Sequence, residues 1–490
     1  MVVQFLKSIR LTPLLCAALG TAVGFYFLFY CARPVTAAVV LLFLALFNLL
    51  MVLSSLNAQS RALKLYSVCA IALTVGLVLG ICAADAGQNK AAFGLPENKI
   101  TGIEGVLLED PRIISGGKAL VSVSLRNCAA GNTLRVSGRG EIAVFVSAEN
   151  AERLKNFGRG AVVFAEGSLR SNEKGSWSLS AKSLHVVKPP PPIERLRTNI
   201  RLNLIRRFGG KEWGGLALAL LLGIKDNLDT ELAVMYRNSG LSYILALSGM
   251  HLAILAALIT FLLKKPLGLK ASAVCGAVII LLYCYLVGSM PSLNRAAMMY
   301  VLGVITVLGA LPKKPLSVLS LSFIIQIIAA PSAGNSISFI LSYLALLGIL
   351  IIGKALYSLL AGKAPDFLLQ PLALSCGAFL ATAGVCGSVF GLLAPVGIIT
   401  GLVMVPLTTV FMIGSIIWLV LDFLSLSALL NLPLSVLYKL MEAIASVSSR
   451  VPGISFGTIS IIILSLALSL LIIVFEYRRR LSLLKLEAFL

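Results

Sequence analysis

Apolar runs of about 20 residues recur along this chain, the length an α-helix needs to cross the hydrocarbon core of a bilayer. They fall at 12–31, 36–55, 65–84, 241–263, 270–289, 292–311, 315–331, 336–356, 367–388 and 456–475. Lipid offers no hydrogen bonds to an open backbone, so each run is expected to be helical. Composition agrees. Hydrophobic residues make up 58% of the chain and charged ones 12%, against roughly 25% charged in soluble domains. The tract 393–425 is apolar but short for two full spans, and a tight hairpin or a pair of re-entrant segments is expected there. The first run leads straight into further spans, so no cleavable signal peptide is expected.

Lys and Arg cluster in alternate loops. Lys7, Arg10, Arg61, Lys64, Lys264, Lys265, Lys313, Lys314, Lys354, Lys363 and Arg478 to Arg480 are satisfied by one topology. It places both termini in the cytoplasm and 85–235 outside. Of the nine cysteines, eight sit in or beside apolar segments as small hydrophobes, and Cys128 stands alone in the polar region. A Cys82–Cys128 bridge is conceivable.

The fold class read from this is a polytopic α-helical membrane protein with an inserted extracytoplasmic small β-barrel. Its parts are a three-span block (1–90), a β domain (95–190), an amphipathic surface helix and linker (193–235), a multi-span domain (236–476) and a basic tail (477–490). The β reading rests on alternating runs at 102–108, 120–125, 141–146 and 161–165, separated by turns at 115–117, 131–132 and 158–160. An OB-fold leads, with a β-sandwich as the alternative. Four prolines, 189–192, close the insert. Ile193, Leu196, Ile200, Leu204 and Phe208 then recur at helical spacing among six basic residues, as in a helix lying on a membrane with Trp213 at the interface.

Region 97–212 carries 19 Lys and Arg against 11 Asp and Glu. The positive-inside rule does not account for a basic excess outside, whereas a polyanion partner does. Arg112, Lys118, Arg126, Arg135, Arg139, Arg170 and Lys182 are the candidate phosphate contacts, and Trp177 could stack on a base. Taken singly, each of these reads first as a solvated surface group.

Polar groups interrupt the apolar runs at four places. In 238–251, Ser248, Gly249 and His251 fall within an expected helix 241–263. His251 then lies about 15 Å along it, and Arg237 and Asn238 mark its outer end. His251 either glues two helices together or lines a polar conduit. The run 288–295 opens a helix with Pro291 and sets Asn294 and Arg295 in its first turn, where a fixed cation attracts anions. Ser338, Phe339 and Ser342 share a helical face, and 391–397 breaks the short tract. These residues are the candidate channel lining. No P-loop sequence is present, two histidines cannot build a histidine-rich metal centre, and no cofactor is expected.

The string Gly240-Leu241-Ser242-Tyr243-Ile244-Leu245-Ala246-Leu247-Ser248-Gly249-Met250-His251 resembles the signature of the ComEC competence-protein family. Leu221-Leu222-Gly223, Pro291 to Arg295 and Phe339 to Ala345 match in order. The resemblance implies a bacterial inner-membrane channel that admits single-stranded DNA during natural transformation, its OB-like domain meeting DNA outside. It further implies an extracytoplasmic DNA receptor and a cytoplasmic DNA-translocating ATPase or helicase as partners, alongside membrane lipids. Three departures stand out. Tyr243 replaces a histidine, Gly401 replaces an asparagine, and the sequence ends at Leu490 where many relatives continue into a metallo-β-lactamase-like domain. Strand degradation is therefore expected to need a separate nuclease. Two rival readings are a secondary transporter of a small anionic solute and an intramembrane enzyme using His251. The enzyme would need an acid nearby, with Asp226 and Asp422 the nearest candidates. A relic without transport is a further alternative.

Overall fold

The computed structural model describes residues 12–31, 61–86, 91–114, 118–131, 134–171, 177–288, 290–312, 314–454 and 458–487. The expected span 36–55 and the turn at 115–117 lie outside them. Among the described residues, seven helices are long and apolar enough to cross a membrane, and the protein is a multi-pass membrane protein.

Helices α1 (Pro13–Cys31) and α2 (Arg61–Ala86) pack side by side through two glycine pairs. A methyl group added at Gly20 or Gly24 would overlap the carbonyls of Leu73 or Leu77, and one at Gly76 or Gly80 those of Ala17 or Thr21. Residue numbers rise together on both helices, so the two run parallel. Each carries the small-xxx-small spacing that lets backbones approach without a side chain between them. Phe25 and Ala18 then join Phe323, Ile327, Phe339 and Tyr343 in one apolar cluster. The Tyr26 hydroxyl donates to Gly334 O at 2.8 Å.

The insert is an eight-stranded sheet with a short helix, α3 (Ala148–Lys155). Its strands are β1 (Ala92–Phe93), β2 (Gly102–Leu107), β3 (Arg112–Ile114), β4 (Lys118–Ala130), β5 (Leu134–Arg139), β6 (Glu141–Ser147), β7 (Val162–Ser171) and β8 (Trp177–Lys188). Alternation does the sorting. Ile142, Val144 and Val146 point into a core with Val121, Val123 and Leu179, while their neighbours face out. Pairing runs β4–β2–β7–β8–β6 and returns to β4, and the β6–β8 contact is parallel. Cys128 is buried in this core and Cys82 is exposed on α2; both are free, so the two form no bridge.

Two expectations need correcting in the linker. Helix α4 (Pro192–Phe208) leaves Ile193, Leu196 and Ile200 exposed, but Arg197 is buried against the protein rather than in solvent. Trp213 is 1% exposed, packed among Phe208, Phe411 and Trp418, not at an interface. Its bulk makes it a core residue for α5 (Gly214–Leu222) and the helices beyond.

Helix α6 (Thr230–Asn238) leads into α7 (Ser242–Leu245) and then α8 (Gly249–Val287). The expected helix 241–263 is therefore broken. Ala246 is extended, and Ser248 at φ −129°, ψ 175° caps α8. Helix α8 contains Gly268 at φ 75°, ψ 173°, beside Pro266. A methyl group at Gly276 would lie 3.6 Å from the Ile259 side chain, whereas 17 residues of straight helix would separate them by about 25 Å. The chain doubles back at Gly268, a conformation that disfavours any side chain, which gives the two expected spans.

Beyond come α9 (Pro291–Leu308), α10 (Pro315–Ala329), α11 (Ile337–Gly348), α12 (Lys354–Leu360), α13 (Asp366–Phe390), α14 (Val396–Phe423), α15 (Ala428–Ser449) and α16 (Thr458–Glu487). The tract 393–425 is neither a tight hairpin nor re-entrant. It holds one 28-residue helix, and α15 is a further span-length helix that the hydropathy reading missed. A π-helical turn, Ile349–Gly353, joins α11 to α12, where Gly348, Gly353 and Gly377 bring two backbones together.

Candidate channel-lining cluster and nucleic-acid surface

The break before α8 brings chemistry together. The Ser248 hydroxyl accepts from Met250 N at 3.3 Å, and His251 Nδ1 accepts from Ser248 N at 3.1 Å. This is a capping box in which histidine fills the position usually held by Glu or Gln. His251 thus sits in the first turn of α8, not half way along a span, and its imidazole is 1% exposed. Ser248 and His251 therefore face each other as cap and first turn, not as neighbours on a helical stripe.

Arg295, in the first turn of α9, lies across this helix start. A methyl group at Gly249 would come within 2.6 Å of Arg295 Nη2. Glycine here leaves the guanidinium room against the amide end of α8. Arg295 Nε donates to the Ser342 hydroxyl at 2.7 Å, and its guanidinium lies 5.9 Å from the Tyr343 ring centre. Tyr343 continues inward, donating to Gln326 Oε1 at 3.0 Å, and Gln326 Nε2 donates to Pro291 O at 3.0 Å. Ser292 donates to Leu247 O at 2.7 Å, satisfying one carbonyl of the broken stretch. Four elements, α8 to α11, thus meet around one buried cation, and no carboxylate pairs with it among the described residues.

The structure joins Ser248, Gly249, His251, Arg295 and Ser342. Asn294 is half-buried beside Arg295. Phe339 is 1% exposed inside the aromatic cluster with Phe323 and Tyr343, and Ser338 is exposed. Arg237 and Asn238 end α6, with Arg237 exposed. The break at 391–395 packs on the turn after α6: a methyl at Gly240 would lie 2.6 Å from Ala394 O, and one at Gly397 2.9 Å from Gly240 O. One turn further, Gly401 leaves space for the Tyr243 hydroxyl, 2.5 Å from where a methyl would be. The two departures from the family pattern, Tyr243 and Gly401, touch each other. The acids proposed for an intramembrane enzyme are engaged elsewhere, Asp226 with Lys155 at 2.7 Å and Asp422 with Arg207.

On the β domain, Lys118, Arg126, Arg135, Arg139, Arg170 and Lys182 are exposed, while Arg112 is placed only by its backbone in β3. Arg135 pairs with Glu104 at 3.0 Å and lies over Phe164. Trp177 is half-buried edge-on against Phe93, so its ring already has a partner. Phe145 on β6 is an exposed aromatic, paired with Leu120 two residues from Lys118. Alternation with Ile142, Val144 and Val146 was the signal that would have found it.

The sequence also left unread how the β domain is seated. Asp110 accepts from Arg197 Nη2 at 3.0 Å and pairs with Arg201 at 3.4 Å. Those arginines donate to the last carbonyls of α8: Arg197 Nε to Tyr285 O at 2.9 Å, and Arg201 Nη1 to Val287 O at 2.8 Å. A helix end leaves such carbonyls without partners and carries partial negative charge, so two cations suit it. Burial alone would raise the Asp110 pKa, but Arg201, Arg197 and the Arg159 amide outweigh it and hold the carboxyl below its ordinary value. Arg159 pairs with Glu194 at 2.6 Å and lies over Tyr285.

The family model for competence proteins matches residues 220–481, just over half of the chain. A protein of Aquifex aeolicus (strain VF5), described as uncharacterized, is 28% identical over 269 residues, which cover 53% of this chain and 62% of that relative. The match therefore spans less than two thirds of the relative's length. No solved structure matches. With the broken helix at 246–248, Arg295 and the Ser342 helix all inside the matched region, the chain belongs to the competence protein family.

Proposed function

We propose that the protein is a membrane channel that passes single-stranded DNA into the cytoplasm during natural transformation. The observation that carries this is Arg295, a guanidinium 8% exposed and laid against the amide end of α8, just past the break at Ala246–Ser248. A buried cation at a helix start suits a phosphate group, and broken helices in membranes occur where backbone lines a cavity. We read the β domain as an extracytoplasmic OB-type barrel. Its five ring strands, taken in chain order, pair first–second–third–fifth–fourth and back to the first, with α3 between third and fourth. Lys118, Arg126 and Phe145 on its second and third strands form the DNA face. A DNA receptor outside and a translocating ATPase or helicase inside supply strand and force.

Labelled DNA uptake tests the channel. Cells carrying Arg295→Glu, at wild-type membrane levels, lose uptake. Uptake equal to wild type removes Arg295 from the path. The second reading, a secondary transporter of a small anion, is favoured by the same buried cation, since one guanidinium can hold one phosphate. It predicts anion uptake without competence genes.

A further inference from the structure

The first arm of the α8 helical hairpin carries a groove outside the Arg295 cluster. Ala256, Ala257 and Thr260 form its floor, with the Thr260 hydroxyl donating to Ala256 O at 2.7 Å. Phe261, 79% exposed, and Tyr300 of α9 form its walls, and Lys264 and Lys265 close one end. These residues follow one helical stripe over about 13 Å. The stripe stops where the chain reverses at Gly268, with exposed Lys270 just past the turn. Neither Lys264 nor Lys265 pairs with a carboxylate among the described residues.

We propose that this groove is a binding site for one anionic phospholipid, with an acyl chain along the alanine floor and the phosphate on the two lysines. Three features choose that occupant. The floor is apolar and its one hydroxyl is internally bonded, so a hydrated solute gains nothing there. The cations sit at the end of a membrane-crossing segment, at headgroup depth. Lysines beside an apolar interhelical groove attract anionic lipid headgroups. The proposal rests on the membrane-spanning reading but not on DNA passage, since no residue of the Arg295 cluster takes part.

The test is native mass spectrometry of the full chain purified in detergent and supplied with phosphatidylglycerol or phosphatidylcholine of the same acyl chains. The protein retains phosphatidylglycerol in preference, and Lys264→Ala/Lys265→Ala lowers retention about tenfold or more. Ala257→Trp fills the floor without changing charge and lowers it comparably. Glycerophosphoglycerol, the headgroup without tails, fails to compete. Equal retention of the two lipids, wild-type retention by both variants, or full displacement by the headgroup alone overturns the site. A thermal melt of each variant separates loss of lipid from loss of fold.

Discussion

Arg295 is placed by what surrounds it as much as by its own side chain. Gly249 yields the space and Ser342 takes its Nε–H, so two small residues hold a buried guanidinium at the start of α8. Gly249→Ala forces the guanidinium off its seat. A hydrogen bond to a charged group is worth about 1.5–3 kcal/mol, and loss of this one is expected as a lower melting temperature in detergent. Ser342→Ala removes the same bond from the other side. In a double-mutant cycle the two losses therefore fall short of adding, as for residues sharing one contact. Strict additivity in the melts would dissolve the pairing. Arg295 was legible as an out-of-place cation. Its neighbours were not, because a break at Ala246–Ser248 hides in residues that also suit a helix, and histidine stands in the cap position where an acid is the usual signal.

Among the elements, the parallel contact of α1 and α2 is the most demanding. Gly76→Leu drives a side chain into the carbonyl of Ala17. Overpacking of this kind costs about 1–3 kcal/mol where neighbours can shift, and backbone shifts less readily than side chains. Reduced folded yield in membranes is the expected result, and wild-type yield and melting would refute the contact. The β strands were readable because period-two alternation survives in any half-buried sheet. Helix α15 was not, since Asn431, Pro433, Lys439 and Glu442 dilute its apolar run. Yet Asn431 accepts from Trp418 Nε1 at 2.8 Å, so part of that polarity is spent inside the protein. The fold-back within 249–287 was legible from Lys264 to Lys270, where charge, proline and glycine coincide.

At the scale of the whole molecule, the β domain is seated on the helices through Asp110 with Arg197 and Arg201, beside the Lys155–Asp226 and Arg159–Glu194 pairs. The Asp110 carboxyl is held below its ordinary value, so its contribution to docking is present above about pH 4, the unfolded range, and is lost as pH falls through the lower, folded value. Asp110→Asn removes that dependence. It also leaves buried Arg197 and half-buried Arg201 without that counter-charge, which destabilises the seat. Hydrogen exchange at 285–288 measures both effects. Fast exchange in the variant at neutral pH, matched by the wild type only in acid, is expected, and identical profiles would detach Asp110 from the seat. None of this was visible in the sequence, because Asp110 and the arginines are 87 or more positions apart.

That seat changes how a truncation should be interpreted. A shortened protein without its β insert would be left with two arginines lacking their carboxylate partner, so a loss of function would reflect a damaged scaffold before it reflected the loss of any surface on that domain. Point changes on β4 and β6 are the cleaner instrument.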